Sequence, residues 1–186
     1  MILVQLDDER QIEITIFGLI RAIKYIDQWQ GKWHKRNYVS DQKQMNFAQF
    51  VDLQANSLGA EMAVAKYFGL SIDLGNENFK DRADVGDKIE VKHTVWKDGH
   101  LILTDDDRKT DIAILVTGKL PNYYLCGWIP INIARRPQQR RSDGSYWINQ
   151  SDLHPIGDLI RSSHANKISM SDRKETHNTD HTDSHR

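Results

Sequence analysis

The stretch Asp84-Val85-Gly86-Asp87-Lys88-Ile89-Glu90-Val91-Lys92-His93 decides the reading of this chain. Side chains alternate faces along a strand, so Glu90 and Lys92 point one way while Ile89, Val91, His93 and Val95 point the other. Gly86-Asp87 offers a tight turn, which lets Asp84 fold back beside Glu90 from a neighbouring strand. Two carboxylates and one ammonium then converge on one spot. Such a spot can hold a hard divalent cation through oxygen ligands and activate a water beside it.

Upstream, a helix is expected from about Met45 to Phe68, stopped by Gly69. Phe47, Val51, Leu58, Met62 and Ala65 fall on one stripe of that helix, flanked by Phe50 and Phe68. Glu61 projects within the stripe, between the bearings of Ala65 and Phe68. A carboxylate on an apolar face must be paired, hydrogen-bonded or metal-bound to be tolerated. The periodicity therefore points Glu61 toward the sheet that carries Asp84, Glu90 and Lys92. Each piece also has a plain reading: a half-exposed strand face for Glu90 and Lys92, a turn residue for Asp84, a helix-edge glutamate for Glu61. Glu-x-Lys alone occurs by chance in many proteins; the combination is what points to a metal site.

The remainder of the chain supplies the surroundings. Residues 2–6 alternate weakly as a strand, Asp7 or Asp8 caps a helix, and Ile12, Ile16, Leu19, Ile20 and Ile23 recur at helical spacing as far as about Trp29. The polar stretch Gln30–Gln44 reads as a loop. Strands are expected at about 88–95, 100–104, 111–117 and 123–131, with turn signals at Asp98-Gly99, Gly118 and Pro121-Asn122. From about Ser162 the composition turns to Ser, Thr, Asn, Asp and His, which cannot bury enough surface to offset ordering entropy. His177, His181 and His185 recur there every fourth residue and read as part of a solvated tail. The expected organisation is one domain over 1–160, with strand, helix and loop in 1–44, a core in 45–133, and a disordered polar tail over 161–186.

Composition narrows the class. The chain has 186 residues, 39% hydrophobic and 27% charged, with a net charge of −1; this describes a soluble globular domain. No apolar run approaches the ~18–20 residues that span a bilayer, so no membrane partner is expected. The N-terminus lacks the basic and apolar segments of a secretory signal. The single Cys126 has no internal disulfide partner, which fits a reducing, intracellular and cytoplasmic setting, and it reads as a small buried apolar residue. Near-neutral net charge counts mildly against a nucleic-acid partner. Distribution counts the other way: Arg135, Arg136, Arg140 and Arg141 cluster, and clustered arginines can grip phosphates.

The order of Gly59-Ala60-Glu61-Met62-Ala63-Val64-Ala65-Lys66, then Arg82-Ala83-Asp84-Val85-Gly86, then Ile89-Glu90-Val91-Lys92 resembles the PD-(D/E)XK nuclease superfamily, in particular its small phage-type members. The resemblance covers about Met45 to Ile133, including the strand-like runs that begin at Asp111 and Tyr124. Ala83 stands where the eponymous proline would be. No crossover helix is evident between the strands at 111–117 and 123–131, where Gly118 to Asn122 suggest a hairpin. The resemblance implies an α/β fold of the restriction-endonuclease-like kind, a central mixed β-sheet flanked by helices.

It also implies an activity: Mg²⁺-dependent hydrolysis of DNA phosphodiester bonds, as endonuclease or exonuclease, leaving 5′-phosphate and 3′-hydroxyl ends. Asp84, Glu90 and the carbonyl of Val91 would bind Mg²⁺ or Mn²⁺. Lys92 would orient or deprotonate the attacking water and stabilise developing charge. Glu61 would complete the ligand shell, support a second metal or hold a water. DNA would be the partner, met in a host cytoplasm if the chain is phage-encoded. Many such nucleases act as dimers, so a homodimer is the expected oligomer, although no interface signature stands out. Lys97, Arg108, Lys109 and the four arginines at 135–141 are the candidate phosphate contacts. Trp96, Trp128 and Trp147 could stack on bases, with core packing the expected use of Trp128; His93 reads as a core histidine. Two other readings remain: an inactive nuclease-fold protein that serves in nucleic-acid binding or assembly, and an unrelated α/β module with chance charges, which requires Glu61 to be exposed.

Overall fold

The computed structural model describes residues 1–30, 45–72, 74–75 and 82–168. The expected loop Gln30–Gln44, beyond Gln30 itself, and the tail histidines therefore lie outside the described residues. The elements are β1 (Ile2–Gln5), α1 (Asp8–Lys24), α2 (Ile26–Trp29), α3 (Phe47–Phe68), β2 (Ile89–Thr94), β3 (Leu101–Leu103), β4 (Ile112–Lys119), β5 (Asn122–Pro130), α4 (Ile131–Ala134), β6 (Tyr146–Ile148) and α5 (Ile156–Leu159). Short 3-10 turns fill several of the later connections. Asp7 caps α1 by accepting from the Arg10 N–H, and Asn46 and Gln49 form a reciprocal capping box on α3. Gly69 ends α3 in the left-handed region at φ 66°.

β1, β5, β4 and β2 form one mixed sheet in that order, antiparallel except for the parallel β2–β4 pair. β4 and β5 are joined by the expected hairpin, turning through Leu120 and a cis Pro121. The connection from β2 to β4 runs through β3 instead of a crossover helix. The two edge strands are β1 and β2.

The helices α1 and α3 cover one face of this sheet, and β3 and β6, paired antiparallel, cover the other with α4. The helix-side core joins Leu58, Met62 and Val64 of α3 to Ile89, Val91, Ile114, Val116 and Leu125 of the sheet. On the far side Ala113, Leu115 and Ile129 meet Leu101, Leu103, Tyr146 and Ile148. Full burial of one such aliphatic side chain stabilises by about 1.5–3 kcal/mol.

The apolar stripe on α3 is broader than its large residues alone suggest, because every residue from Leu58 to Ala65 is buried. Small residues allow this close wrapping. A Cβ on Gly18 of α1 would come within 2.7 Å of Ala55, and one on Gly59 within 2.0 Å of the Tyr123 hydroxyl. Asn56, also buried, ties the helix to the hairpin by accepting from the Leu120 N–H at 2.9 Å.

One finding adds to the sequence reading, and one expectation needs correction. On α1 the helical period is as read, but the inward residues are Ile14, Gly18 and Ala22. Ile12, Ile16, Leu19, Ile20 and Ile23 face outward, between 43% and 63% exposed. At the other end, order continues past Ser162: a 3-10 turn spans Ala165–Lys167, the His164 ring lies 5.6 Å from that of Trp128, and Ile168 packs on the helix-side core. The apolar surface offered by Trp128 is what a composition argument misses there.

Candidate active site

The turn after Asp84 is built as its residues suggest. Val85 and Ile89 exchange backbone hydrogen bonds at 3.1 and 3.3 Å, and Gly86 takes φ 55° between them. Asp84 is thereby returned to the edge of β2, where its Oδ2 accepts from the Val91 N–H at 2.7 Å. Ile89 spends its N–H and C=O on Val85, so alternation along the strand turns the backbone groups of Val91 to the same edge. The Val91 carbonyl thus faces the side on which Asp84 lies.

Glu90 and Lys92 share a face, opposite to Ile89 and Val91. Their neighbours across the ladder are Ala113 and Leu115, which belong to the far-side core. Lys92 Nζ donates to Glu90 Oε1 at 2.6 Å and to Asp107 Oδ1 at 2.8 Å. Asp107 also accepts from the N–H and hydroxyl of Thr104. Glu61 is buried, 8% exposed, on the helix side of β2, and Arg21 of α1 donates to both its carboxylate oxygens at 3.0 and 3.5 Å. Edge strand β2 therefore separates two groups, with Asp84 at the edge between them.

Their charges are coupled. Burial pushes the Asp84 carboxyl up to about 7, helped by Glu61 and opposed by Lys92, the Val91 N–H and Arg21. Burial also raises Glu90 to about 7, with the Asp84 charge adding to it and Lys92 opposing. Burial works against the Lys92 charge, yet Glu90 and Asp107 hold the ammonium above the ordinary lysine range. Burial likewise opposes the Asp107 charge, but Lys92 and Thr104 keep its carboxyl below the usual range. Glu61 raises Asp84 and Asp84 raises Glu90, so this edge of the sheet is short of positive charge. That chemistry fits a hard cation. Among the described residues no group of three or more His, Cys, Asp or Glu side chains is arranged to hold a metal; Asp84, Glu90 and the Val91 carbonyl are the oxygen donors at this edge that could meet one. Mg²⁺ keeps several waters and asks for little more.

The candidate phosphate contacts divide. Arg108 is committed to the fully buried Asp111, and Arg135 to Asp105 and the Asp107 carbonyl. Both brace the loop that carries Asp107. Arg140 reaches Asp105 at 3.3 Å and lies over the Tyr146 ring, while Arg141 lies over Trp147. Lys97, Lys109 and Arg136 are exposed. Trp128 is buried, with its ring N–H given to the Pro155 carbonyl; Trp147 gives its own to Ser145. Trp96 is 73% exposed just beyond β2. His93 is half-buried, its Nε2 2.9 Å from the Gly118 carbonyl, and burial lowers its pKa. Cys126 is only partly buried against the far-side core.

Arg21 and Asp107 were not singled out in the sequence. Arg21 falls on the inward side of α1 with Ile14, Gly18 and Ala22, so the argument applied to Glu61 finds it once the inward side is known. Asp107 lies in the acidic run 105–107, and nothing in that run distinguishes it. A cleft of about 360 Å³, lined by Lys97, His100 and Asn149 among others, contains none of Glu61, Asp84, Glu90 or Lys92. Comparison with protein-family models, curated proteins and solved structures finds no match to this chain.

Proposed function

We propose that the protein is a divalent-metal-dependent nuclease of the restriction-endonuclease-like kind, hydrolysing DNA phosphodiester bonds to leave 5′-phosphate and 3′-hydroxyl ends. The observation that carries this reading is the return of Asp84 to the backbone of Val91, beside Glu90 and its partner Lys92. The burial of Glu61 also speaks against a chance scatter of surface charges.

Asp84, Glu90 and the Val91 carbonyl would hold Mg²⁺ or Mn²⁺. Such a cation supplies charge for a non-bridging phosphate oxygen and makes an adjacent water more acidic. Lys92, held protonated by two carboxylates, serves as a charged donor that orients the water and offsets charge on the phosphorane. Its raised pKa disfavours the role of general base. Glu61, bonded to Arg21, acts on the site through the charge it places near Asp84. Trp96 and the exposed Lys97, Lys109 and Arg136 would meet the nucleic acid by stacking and phosphate contact.

One observation favours a second reading, an inactive nucleic-acid-binding module: Lys92 is tied to Asp107 as well as to Glu90. Cleavage of linear, circular, single-stranded and branched DNA with Mg²⁺ or Mn²⁺ separates the two. Metal-dependent cutting that disappears in Glu90→Ala and Lys92→Ala supports the nuclease. Equal cutting by wild type and Glu90→Ala assigns the activity to a contaminant, and no cutting on any substrate leaves the binding module.

A further inference from the structure

The connection from β2 to β3 is a short, braced turn. The Gly99 N–H donates to the Trp96 carbonyl at 3.0 Å, and the Trp96 N–H donates to the Thr94 hydroxyl at 3.3 Å. The Gln150 side chain donates to the Lys97 and Gly99 carbonyls at 2.8 and 3.0 Å. Gly99 packs so closely that a Cβ there would come within 2.4 Å of Thr94. On this fixed turn Trp96 is more exposed than any other large apolar residue among those described. Most of its indole face is thereby left to water. Next to it in the chain, Lys97, Asp98 and His100 join Asn149 in lining the cleft of about 360 Å³. The His100 ring is set T-shaped against Trp147 at 5.4 Å, and Arg141 covers Trp147 at 5.0 Å.

We propose that this turn and cleft select DNA with unpaired bases, one base stacking on Trp96 while its neighbour enters the cleft. The inference rests on the nucleic-acid partner of the proposed function and names its form. Inside a duplex both faces of every base are covered by stacking. An indole therefore finds a bare face only on an unpaired or terminal base. The cleft is at the small end of the roughly 300–1,000 Å³ of ligand sites, room for one nucleotide and not for a double helix. Its chemistry suits a nucleotide: Lys97 for the phosphate, the His100 ring for a base face, the Asn149 amide for a base edge. Asp98 disfavours a phosphate at the centre of the cleft but can accept from the amino group of a base. Duplex binding draws on many phosphate contacts, whereas Arg108 and Arg135 are spent on Asp111 and Asp105. Lys97 follows Lys92 so closely in the chain that at most about 18 Å separates them. A strand seated in the cleft thus lies within reach of the edge that carries Asp84 and Glu90.

The test is competition binding to the full chain in EDTA, read by the fluorescence anisotropy of a labelled DNA single strand. The competitors are the same strand without label and relaxed, covalently closed circular duplex, compared per nucleotide. The single strand is expected to compete at least about tenfold better. Trp96→Ala should weaken single-strand binding by about tenfold, Trp96→Phe by much less, and His100→Ala by several-fold. Duplex binding should stay where it was in all three variants. Equal competition by the duplex, or a single-strand preference that survives Trp96→Ala and His100→Ala combined, overturns the proposal. Because EDTA removes the metal, the readout is independent of cutting. A single-strand preference in a chain that cuts no DNA supports the proposal and removes the nuclease reading. Metal-dependent cutting without that preference does the reverse.

Discussion

On the helix side of β2 the Glu61 carboxylate meets the Arg21 guanidinium, while on the other side Lys92 is shared by Glu90 and Asp107, with Asp84 at the edge. The first group matches an anion with a cation. The second gathers Glu90 and Asp107 around one ammonium beside Asp84, and Asp84 and Glu90 are both pushed up to about 7. Similar residue types thus serve different ends: a balanced pair holds two helices in register, and an unbalanced cluster has room for a further positive charge.

The largest effect expected from this contrast is on catalysis. Glu90→Ala should lower metal-dependent cleavage by roughly 10²–10⁴-fold, equivalent to about 3–5 kcal/mol, with little loss of stability. Lys92→Ala should lower it as far and also destabilise the fold, because Glu90 and Asp107 lose their shared cation. Glu61→Ala should behave in the opposite way to Glu90→Ala. It breaks the Glu61–Arg21 pair, and partial exposure reduces the cost of a broken buried pair to about 2–3 kcal/mol, or roughly 5–10 °C in Tm. A Glu61→Ala variant of unchanged Tm would abolish the distinction between the two groups. Next in size, Trp96→Ala should weaken DNA binding by about tenfold through lost stacking, read by fluorescence anisotropy, with Tm unmoved.

The smallest effect concerns pH. Folded-state pKa values raised above the ordinary carboxylate range mean that the contribution of Asp84 and Glu90 is fully present below about pH 4 and is lost as pH rises through about 7. Metal-free protein should therefore lose stability over that window on their account. Glu90→Gln should gain about 1 kcal/mol over wild type at about pH 8 and nothing at about pH 4, measured by urea denaturation.

Much of both sheets was legible because β3, β4 and β5 are apolar runs near Gly, Pro and Asn, and β2 alternates apolar with charged residues. Asp84 was legible because Gly86 marks its turn. The facing of α1 was not, since its largest apolar residues are the exposed ones and the contact with α3 uses Gly18 and Ala22. Periodicity finds a stripe without saying what the stripe meets. The partners Arg21 and Asp107 depend on tertiary neighbours 40 and 15 residues distant from Glu61 and Lys92, a separation beyond local pattern. The order beyond Ser162 likewise depends on Trp128, remote in sequence.

The most direct test of the unbalanced cluster is calorimetric titration of Mn²⁺ into wild type, Asp84→Asn and Glu90→Gln at about pH 8, where both carboxyls are ionised. Wild type is expected to bind the ion, and each variant to bind at least about tenfold more weakly. Equal binding by all three proteins, or none by wild type, would rule out a cation site at Asp84 and Glu90.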